Sequence, residues 1–155
     1  MLRGTAIALM AATAMLAVAG CGTKKNDVAP AACLVTNRGY LRALESAPGP
    51  VRLAGTTPIS DCLVAEQDAG QLANIGREMI VAATKLNAAA RAGSVPATVQ
   101  LGYLIGAVAK GADAIHTDLA RRLNAAARFS QTGGTLPASF ERAFGRGYAA
   151  GHTSG

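Results

Sequence analysis

Two stretches after Pro58 carry apolar residues at steps of three and four, the spacing of one face of an α-helix. The first can be capped at its start by Ser60 or Asp61, and it stops before Gly93. The second spans 96–128 and has a proline in its first turn. The tight connection predicts an antiparallel hairpin of two long helices, each of about 28–32 residues. The apolar positions are Leu72, Ile75, Met79, Ala82, Leu86 and Ala89, then Leu101, Leu104, Val108, Ala112, Ile115, Leu119 and Leu123.

Shorter elements are predicted on both sides of this hairpin. Residues 37–46 can form a short helix, but four of the six prolines lie between 30 and 58 and make that segment irregular. Pro137 opens a further helix, which Gly151 ends. The sequence therefore predicts an all-α fold, a small helical bundle built on a long antiparallel helical hairpin with an irregular N-terminal segment.

Small side chains make up most of the apolar share, since 50% of the residues are hydrophobic but only 4% are aromatic. Gly102 and Gly106 have a spacing that specifies helix dimers inside membranes, and in water it predicts close packing within the bundle. Phe140, Phe144 and Tyr148 form an aromatic stripe at four-residue steps. The stripe can cover a ligand groove, but the favoured interpretation is that it fills a gap in the core.

The first residues of the chain carry an export signal. Arg3 precedes an apolar run over 6–19, which is shorter than the roughly 20 residues needed to span a bilayer. The sequence Val-Ala-Gly-Cys at 18–21 resembles the lipobox of bacterial lipoproteins. The resemblance implies that Cys21 receives a diacylglyceryl group, that signal peptidase II cuts before it, and that the new amine is acylated. The alternative is an ordinary signal peptide followed by a coincidental cysteine.

This signal sets the expected organisation of the chain. Residues 1–20 would be removed, 21–32 would form a flexible tether, 33–150 a single helical domain, and 151–155 a disordered tail. The lipid on Cys21 would hold the protein at the extracytoplasmic face of the cell membrane, or of an outer membrane where the source has one.

The two cysteines that remain, Cys33 and Cys62, are predicted to form a disulfide, because an exported protein meets an oxidising compartment. The bond would close a loop of about 30 residues and stabilise the fold by roughly 3–4 kcal/mol. Two free thiols or a soft metal site are the alternatives. With no CxxC motif and no histidine nearby, a metal site is disfavoured.

Positive charge is concentrated in the last quarter of the chain. The formal charge is +6, and removal of the signal takes away Arg3 and leaves +5. Residues 119–155 carry five basic and one acidic side chain. For an exported protein, the anions in reach are phospholipid headgroups, wall polymers or an acidic protein, and nucleic acid is excluded by compartment. The alternative is a solvated basic face. The candidate basic patch consists of Arg121, Arg122, Arg128, Arg142 and Arg146.

Candidate catalytic chemistry is sparse. Asp113 and His116 lie one helical turn apart, a pair that could contribute to a metal site, but a solvated ion pair is the favoured interpretation. His152 falls in the predicted tail. The sequence has no Gly-x-Ser-x-Gly, no P-loop and no dinucleotide fingerprint. We therefore expect neither an enzyme nor a metal or cofactor site.

One hexapeptide occurs twice: Leu-Asn-Ala-Ala-Ala-Arg stands at 86–91 and again at 123–128. Each copy is placed at the end of a predicted helix. The copies could form a duplicated surface element, but a shared way of ending alanine-rich helices is the favoured interpretation.

Two functional hypotheses follow. The first is a lipid-anchored, non-catalytic module that binds an envelope protein or an anionic polymer. The second is a carrier of a small molecule or lipid, with an apolar cavity under the aromatic stripe. The sequence predicts neither the oligomeric state nor the ligand.

Overall fold

The computed structural model describes residues 28–128 and 136–155; the predicted signal segment, Cys21 and the tether as far as residue 27 lie outside them. The all-α bundle is confirmed, because the described residues form five α-helices and only one isolated β-bridge, between Leu53 and Thr57. The helices are α1 (Asn37–Leu44), α2 (Ala69–Arg91), α3 (Val95–Gly111), α4 (Thr117–Ala126) and α5 (Ala138–Ser154).

Helix α3 lies at the centre of the bundle, with α2 and α5 packed against it. Its residues from Ala97 to Val108 are buried with one exception, Gln100. The side chain of Ser94 caps its start by accepting a hydrogen bond from the backbone of Ala97. Gly93, with φ of 94°, makes the turn from α2. The predicted hairpin of α2 and α3 is therefore present.

Helix α2 begins later than predicted. Ser60 and Asp61 lie in a separate 3-10 turn, Ile59–Cys62. The chain then leaves helical geometry, and Glu66 adopts a φ of 58°, which no α-helix contains. Asp68 provides the cap instead, because its side chain accepts a hydrogen bond from the backbone of Gln71.

The single helix predicted over 96–128 is divided into α3 and α4. Gly111 ends α3, and a Cβ added there would lie 2.3 Å from the carbonyl oxygen of Ser60. Asp113 then starts a short 3-10 turn by accepting a hydrogen bond from the backbone of Ile115. The break lets α4 change direction and pack on α2.

Backbone contact between α3 and α5 depends on four glycines, Gly102, Gly106, Gly147 and Gly151. A Cβ at any of them would lie 2.0–2.2 Å from a carbonyl oxygen of the facing helix, so no larger residue fits. The predicted close packing around Gly102 and Gly106 is confirmed, and its partner is α5. The facing oxygens belong, in the same order, to Phe144, Tyr148, Val99 and Tyr103.

These contacts also give the direction of the two helices. Contact moves from position 144 to 148 of α5 as it moves from 102 to 106 of α3, so α3 and α5 run parallel. The buried face of α5 consists of Ala143 and the two glycines, and the aromatic stripe lies beside it. The expectation that this stripe fills the core holds only in part: Phe144 is half-buried against the core, but Tyr148 is 38% exposed. Small residues take the inner face because the helix backbones approach too closely for rings.

The tail predicted at 151–155 is instead the last turn of α5. Arg52 donates a hydrogen bond to the carbonyl of Ser154 at 2.8 Å, and Lys110 donates to the carbonyl of Thr153 at 3.0 Å. Both cations lie where the negative end of the helix dipole favours positive charge. The segment is ordered by these bonds and by the glycine contacts with α3.

The predicted disulfide is confirmed: Cys33 and Cys62 are bonded, and both are fully buried. The hydroxyl of Tyr40 on α1 donates to the carbonyl of Cys33 at 2.8 Å, and burial raises the pKa of that phenol well above its usual value. The tether predicted over 21–32 does not extend to residue 32, because Ala29 is buried and its backbone donates to Gln71. The irregular N-terminal segment is thus packed onto α1 and α2.

Candidate functional site

A cleft of about 490 Å³ lies between α2 and α4, and we call it the α2–α4 groove. Its floor is apolar, and three charged side chains stand among its lining residues. A concave apolar surface with a few placed charges is the usual form of a binding site. The lining consists of Ala69, Leu72, Ala73, Gly76, Arg77, Ile80, Ile115, Asp118, Leu119 and Arg122.

The floor of the groove forms because Gly76 has no side chain. A Cβ at Gly76 would come within 3.0 Å of Cδ1 of Leu119, so α4 packs closely on α2 at this point. Ile115, which lies in the turn before α4, is 45% exposed. It is one of five large hydrophobic residues that are exposed in the described ranges, and it leaves apolar surface available at the edge of the groove.

The rim carries both signs of charge. Arg77 contacts Glu78 at 3.3 Å on α2, and Asp118 on α4 forms ion pairs with Arg121 and Arg122, the second at 4.0 Å. The two pairs of Asp118 are exposed, and such pairs contribute only about 0–1 kcal/mol each, so these side chains can exchange partners at little cost. Glu78 is half-buried and also accepts two hydrogen bonds from Asn37. A ligand that buries apolar surface here can also pair with either sign of charge.

The structure does not bring the five arginines of the predicted basic patch together. All five are exposed. Arg121 and Arg122 lie on α4, and Arg128 follows that helix, whereas Arg142 and Arg146 lie on α5. Helix α4 packs on α2 and α3, and α5 packs on α3, with at most weak contact between α4 and α5. Arg122 alone lines the α2–α4 groove.

The expected pair of Asp113 and His116 is present, with Nδ1 of His116 2.8 Å from Oδ1 of Asp113, but it is not solvated as expected, because His116 is fully buried. Nδ1 of the imidazole accepts a hydrogen bond from the backbone of Asp113 at 3.1 Å, and Nε2 lies 3.2 Å from Oε1 of Gln67. The contact between the imidazole and the backbone of Asp113 closes a capping box at the break between α3 and α4. The histidine therefore positions Ile115 and α4.

The two copies of the repeated hexapeptide have different roles. Asn87 is 8% exposed, and its Nδ2 donates to the carbonyls of Ala126 and Arg128, at 2.9 and 3.2 Å. These carbonyls end the second copy, so the first copy caps it. Asn124, the equivalent residue, is exposed and donates to Ala120 of its own helix. Both copies lie at the end of a helix, as expected, but these contacts do not show a shared way of ending, because only the first copy caps the other.

A second cleft of about 490 Å³ lies beside the end of α5. Its polar side chains already hold that helix: Ser60 donates to the carbonyl of Gly155, and Lys110 donates to that of Thr153. We therefore assign this cleft to the attachment of α5. Its lining consists of Ser60, Asp61, Leu63, Val64, Ala65, Lys110 and Gly111.

Glu78, the partner of Arg77 at the rim of the α2–α4 groove, has a lowered pKa. Hydrogen bonds from the side chain and backbone of Asn37 lower the pKa of Glu78, which joins α1 to α2. Within the described ranges, no three His, Cys, Asp or Glu side chains gather as a metal site would require. Across residues 28–128 and 136–155, no helix combines the length and apolar character needed to cross a membrane.

Sequence reasoning missed the groove because it placed Ile115 and Leu119 in the core stripe of one long helix. The local signal was present, since Gly111 followed two residues later by Asp113 is a helix stop followed by a cap. The described groove can bind an apolar group on its floor and form ion pairs with a ligand at its rim. Comparison with protein-family models, curated proteins and solved structures finds no match for this chain.

Proposed function

We propose that this protein is an exported bacterial lipoprotein, anchored by lipid on Cys21, that binds a protein of the cell envelope without catalysing a reaction. The observation that carries the anchor is the lipobox-like sequence at 18–21, placed directly after a short apolar run. The α2–α4 groove supports a binding role, because it combines an apolar floor with a rim of mixed charge. A protein segment suits it better than an acyl chain, which has no charges to offer the rim.

The anchor predicts a specific N-terminus. Mass spectrometry of the protein isolated from membranes is expected to find a mature chain that begins at Cys21 and carries a diacylglyceryl group and an amide-linked acyl chain. A Cys21→Ser variant is the control, and it should keep the apolar run but lose both cleavage at that site and the lipid. An unmodified Cys21, or cleavage elsewhere, would refute the anchor.

The groove predicts where the partner binds. A photo-crosslinking residue in place of Arg77 on the rim is expected to capture one envelope protein in intact cells. Adding Ile115→Asp should reduce that capture about tenfold, because it places a carboxylate where the partner buries apolar surface. Ile115 is partly exposed, so melting should stay close to that of the parent.

The matched control carries the crosslinker at Gly145, an exposed position on α5 with no neighbour within 4 Å of an added Cβ. Equal capture from positions 77 and 145, or capture that ignores Ile115→Asp, would remove the groove from the binding surface. The acylation of Cys21 would be unaffected by either result.

The alternative, a small-molecule or lipid carrier, stays a prediction. It places an apolar cavity under the aromatic stripe, where the described residues form a small cleft of about 170 Å³ that Phe140 and Ala143 line. The stripe flanks the contact between α3 and α5, and Phe140 and Phe144 stack on each other at 5.9 Å.

A further inference from the structure

A strip of exposed apolar and basic side chains follows the point at which the described chain begins. We call it the N-terminal strip, and it consists of Val28, Leu34, Arg38 and Arg42. Val28 is 68% exposed and Leu34 is 50% exposed, and they are two of the five exposed large hydrophobic residues in the described ranges. Both belong to the segment nearest the proposed lipid anchor.

The strip is held rigidly against α2. The backbone of Ala29 donates to Oε1 of Gln71 at 2.9 Å, and the backbone of Asn37 donates to Oε2 of Glu78 at 2.8 Å. Since Gln71 and Glu78 are seven residues apart on one helix, the segment between Ala29 and Asn37 runs beside α2 for about 10 Å. The side of this segment that faces away from α2 therefore belongs to the surface of the folded domain.

The basic part of the strip lies on α1. Arg38 and Arg42 are four residues apart on the outward face of this helix, opposite the buried Tyr40 and Leu44. Neither guanidinium has a hydrogen-bond or ion-pair partner among the residues that the structure describes. Glu45 is also exposed near this face, which leaves it with one net positive charge. Two unpaired arginines beside exposed apolar side chains match the chemistry of an anionic lipid surface.

The short segment between Cys21 and Val28 limits how far the N-terminal strip can lie from the membrane. Six residues lie between Cys21 and Val28, so the seven Cα–Cα steps span at most about 25 Å when extended. A domain of this size is roughly 36 Å across, which is longer than the tether. Val28 therefore lies within about 25 Å of the bilayer that holds the acyl chains, if Cys21 is acylated, and the opposite side of the domain can lie farther away.

We propose that the N-terminal strip is the face with which this protein lies on its membrane, with Val28 and Leu34 in the headgroup region and Arg38 and Arg42 over anionic headgroups. This inference rests on the proposed lipid anchor. It orients the domain, because the α2–α4 groove and α5 then lie on surfaces other than the one in contact with lipid.

The test measures tryptophan fluorescence. Because the chain contains no tryptophan, all of the signal comes from a single introduced residue. The mature chain, residues 21–155, is coupled through the thiol of Cys21 to a maleimide lipid in vesicles, with the buried disulfide left intact. Leu34→Trp is compared with Ala149→Trp, an exposed position on α5. Brominated lipids quench tryptophan that reaches the bilayer.

In phosphatidylcholine vesicles that contain phosphatidylglycerol, the tryptophan at position 34 is expected to be quenched and blue-shifted, and the one at 149 is not. Arg38→Glu with Arg42→Glu should abolish the quenching, since each arginine accounts for about a fivefold preference for the anionic surface. Both arginines are exposed, and circular dichroism checks that the variant remains folded.

Equal quenching at 34 and 149, or no quenching at 34, would overturn the proposal. Quenching at 34 that persists in the double-glutamate variant would overturn the role of the arginines. Because the lipid is attached chemically, neither result depends on acylation in the cell, which mass spectrometry of Cys21 tests separately.

Discussion

Gly147→Ala is expected to destabilise the protein by about 3 kcal/mol or more, at the upper end of what overpacking costs. The new Cβ would lie 2.0 Å from the carbonyl oxygen of Val99 and 2.9 Å from the backbone nitrogen of Tyr103. These are backbone atoms of the central helix, so no side chain can rotate away. Helix α5 has to move outward, and the contacts at Gly102, Gly106 and Gly151 loosen with it.

The matched control is Gly145→Ala on the same helix. Gly145 has no neighbour within 4 Å of an added Cβ, and its φ is not in the left-handed region. Alanine has the higher helix propensity, so this variant should be more stable than the parent by about 0.5–1 kcal/mol. Two identical substitutions, two residues apart, thus have opposite expected signs.

Urea unfolding followed by circular dichroism measures the free energy of unfolding of both variants. Hydrogen exchange along α5 shows where in the fold the stability is lost. The amides of α5 in Gly147→Ala should exchange faster than those of α2, since the damage is at the contact between α3 and α5. A loss below about 1 kcal/mol, or the same change in both variants, would mean that α5 does not pack on α3 through these glycines.

The sequence shows the central hairpin because its evidence is local. The apolar stripe from Leu72 to Leu86 and the turn at Gly93 are readable without knowing what they contact. The disulfide was equally accessible, because only Cys33 and Cys62 remained once Cys21 was assigned to lipid.

The packing of α5 was not accessible in the same way. Hydrophobic periodicity gives most weight to Phe140, Phe144 and Tyr148, and it therefore points the wrong side of α5 toward the core. The true inner face carries Gly147 and Gly151, which are uninformative on a hydrophobicity scale. Their role becomes visible only when α3 supplies two glycines at the same spacing. The signal therefore belongs to the two helices together and not to α5 alone.

The α2–α4 groove also depends on a tertiary contact, the one between His116 and Gln67. The angle of α4 is set by His116, whose imidazole reaches Gln67 across a separation of 49 residues. A histidine on an alanine-rich helix reads as a surface residue until that partner is known. The groove follows from the turn that this bond stabilises, so a one-helix interpretation of 96–128 could not contain it.

The second large effect is expected at Asn87, which lies in the first copy of the repeated hexapeptide. Asn87→Asp should destabilise the protein by about 3–5 kcal/mol at neutral pH. The amide nitrogen that donates to Ala126 and Arg128 becomes a carboxylate oxygen facing two carbonyls at the negative end of α4. Oδ1 of Asn87 already lacks a hydrogen-bond partner among the described residues, so no donor compensates the new charge.

The effect should depend on pH with a definite sign. Burial beside carbonyl oxygens raises the pKa of the introduced carboxyl in the folded state above its unfolded value of about 4. The protonated form can still donate one hydrogen bond, so the deficit relative to the parent is smallest below pH 4 and grows as the pH rises to 7. Urea unfolding of both proteins at a series of pH values measures this difference.

Asn124→Asp, in the second copy of the same hexapeptide, is the control. Its side chain is exposed and donates to the carbonyl of Ala120 within its own helix, so the expected loss is at most about 1 kcal/mol. Water solvates the new carboxylate, and the deficit should vary little with pH. Equal losses at 87 and 124 would contradict the capping role of Asn87, because only Asn87 contacts the other copy. A large loss at 87 alone would show that the first copy stabilises the fold by capping the second, and that Asn124 has no equivalent role.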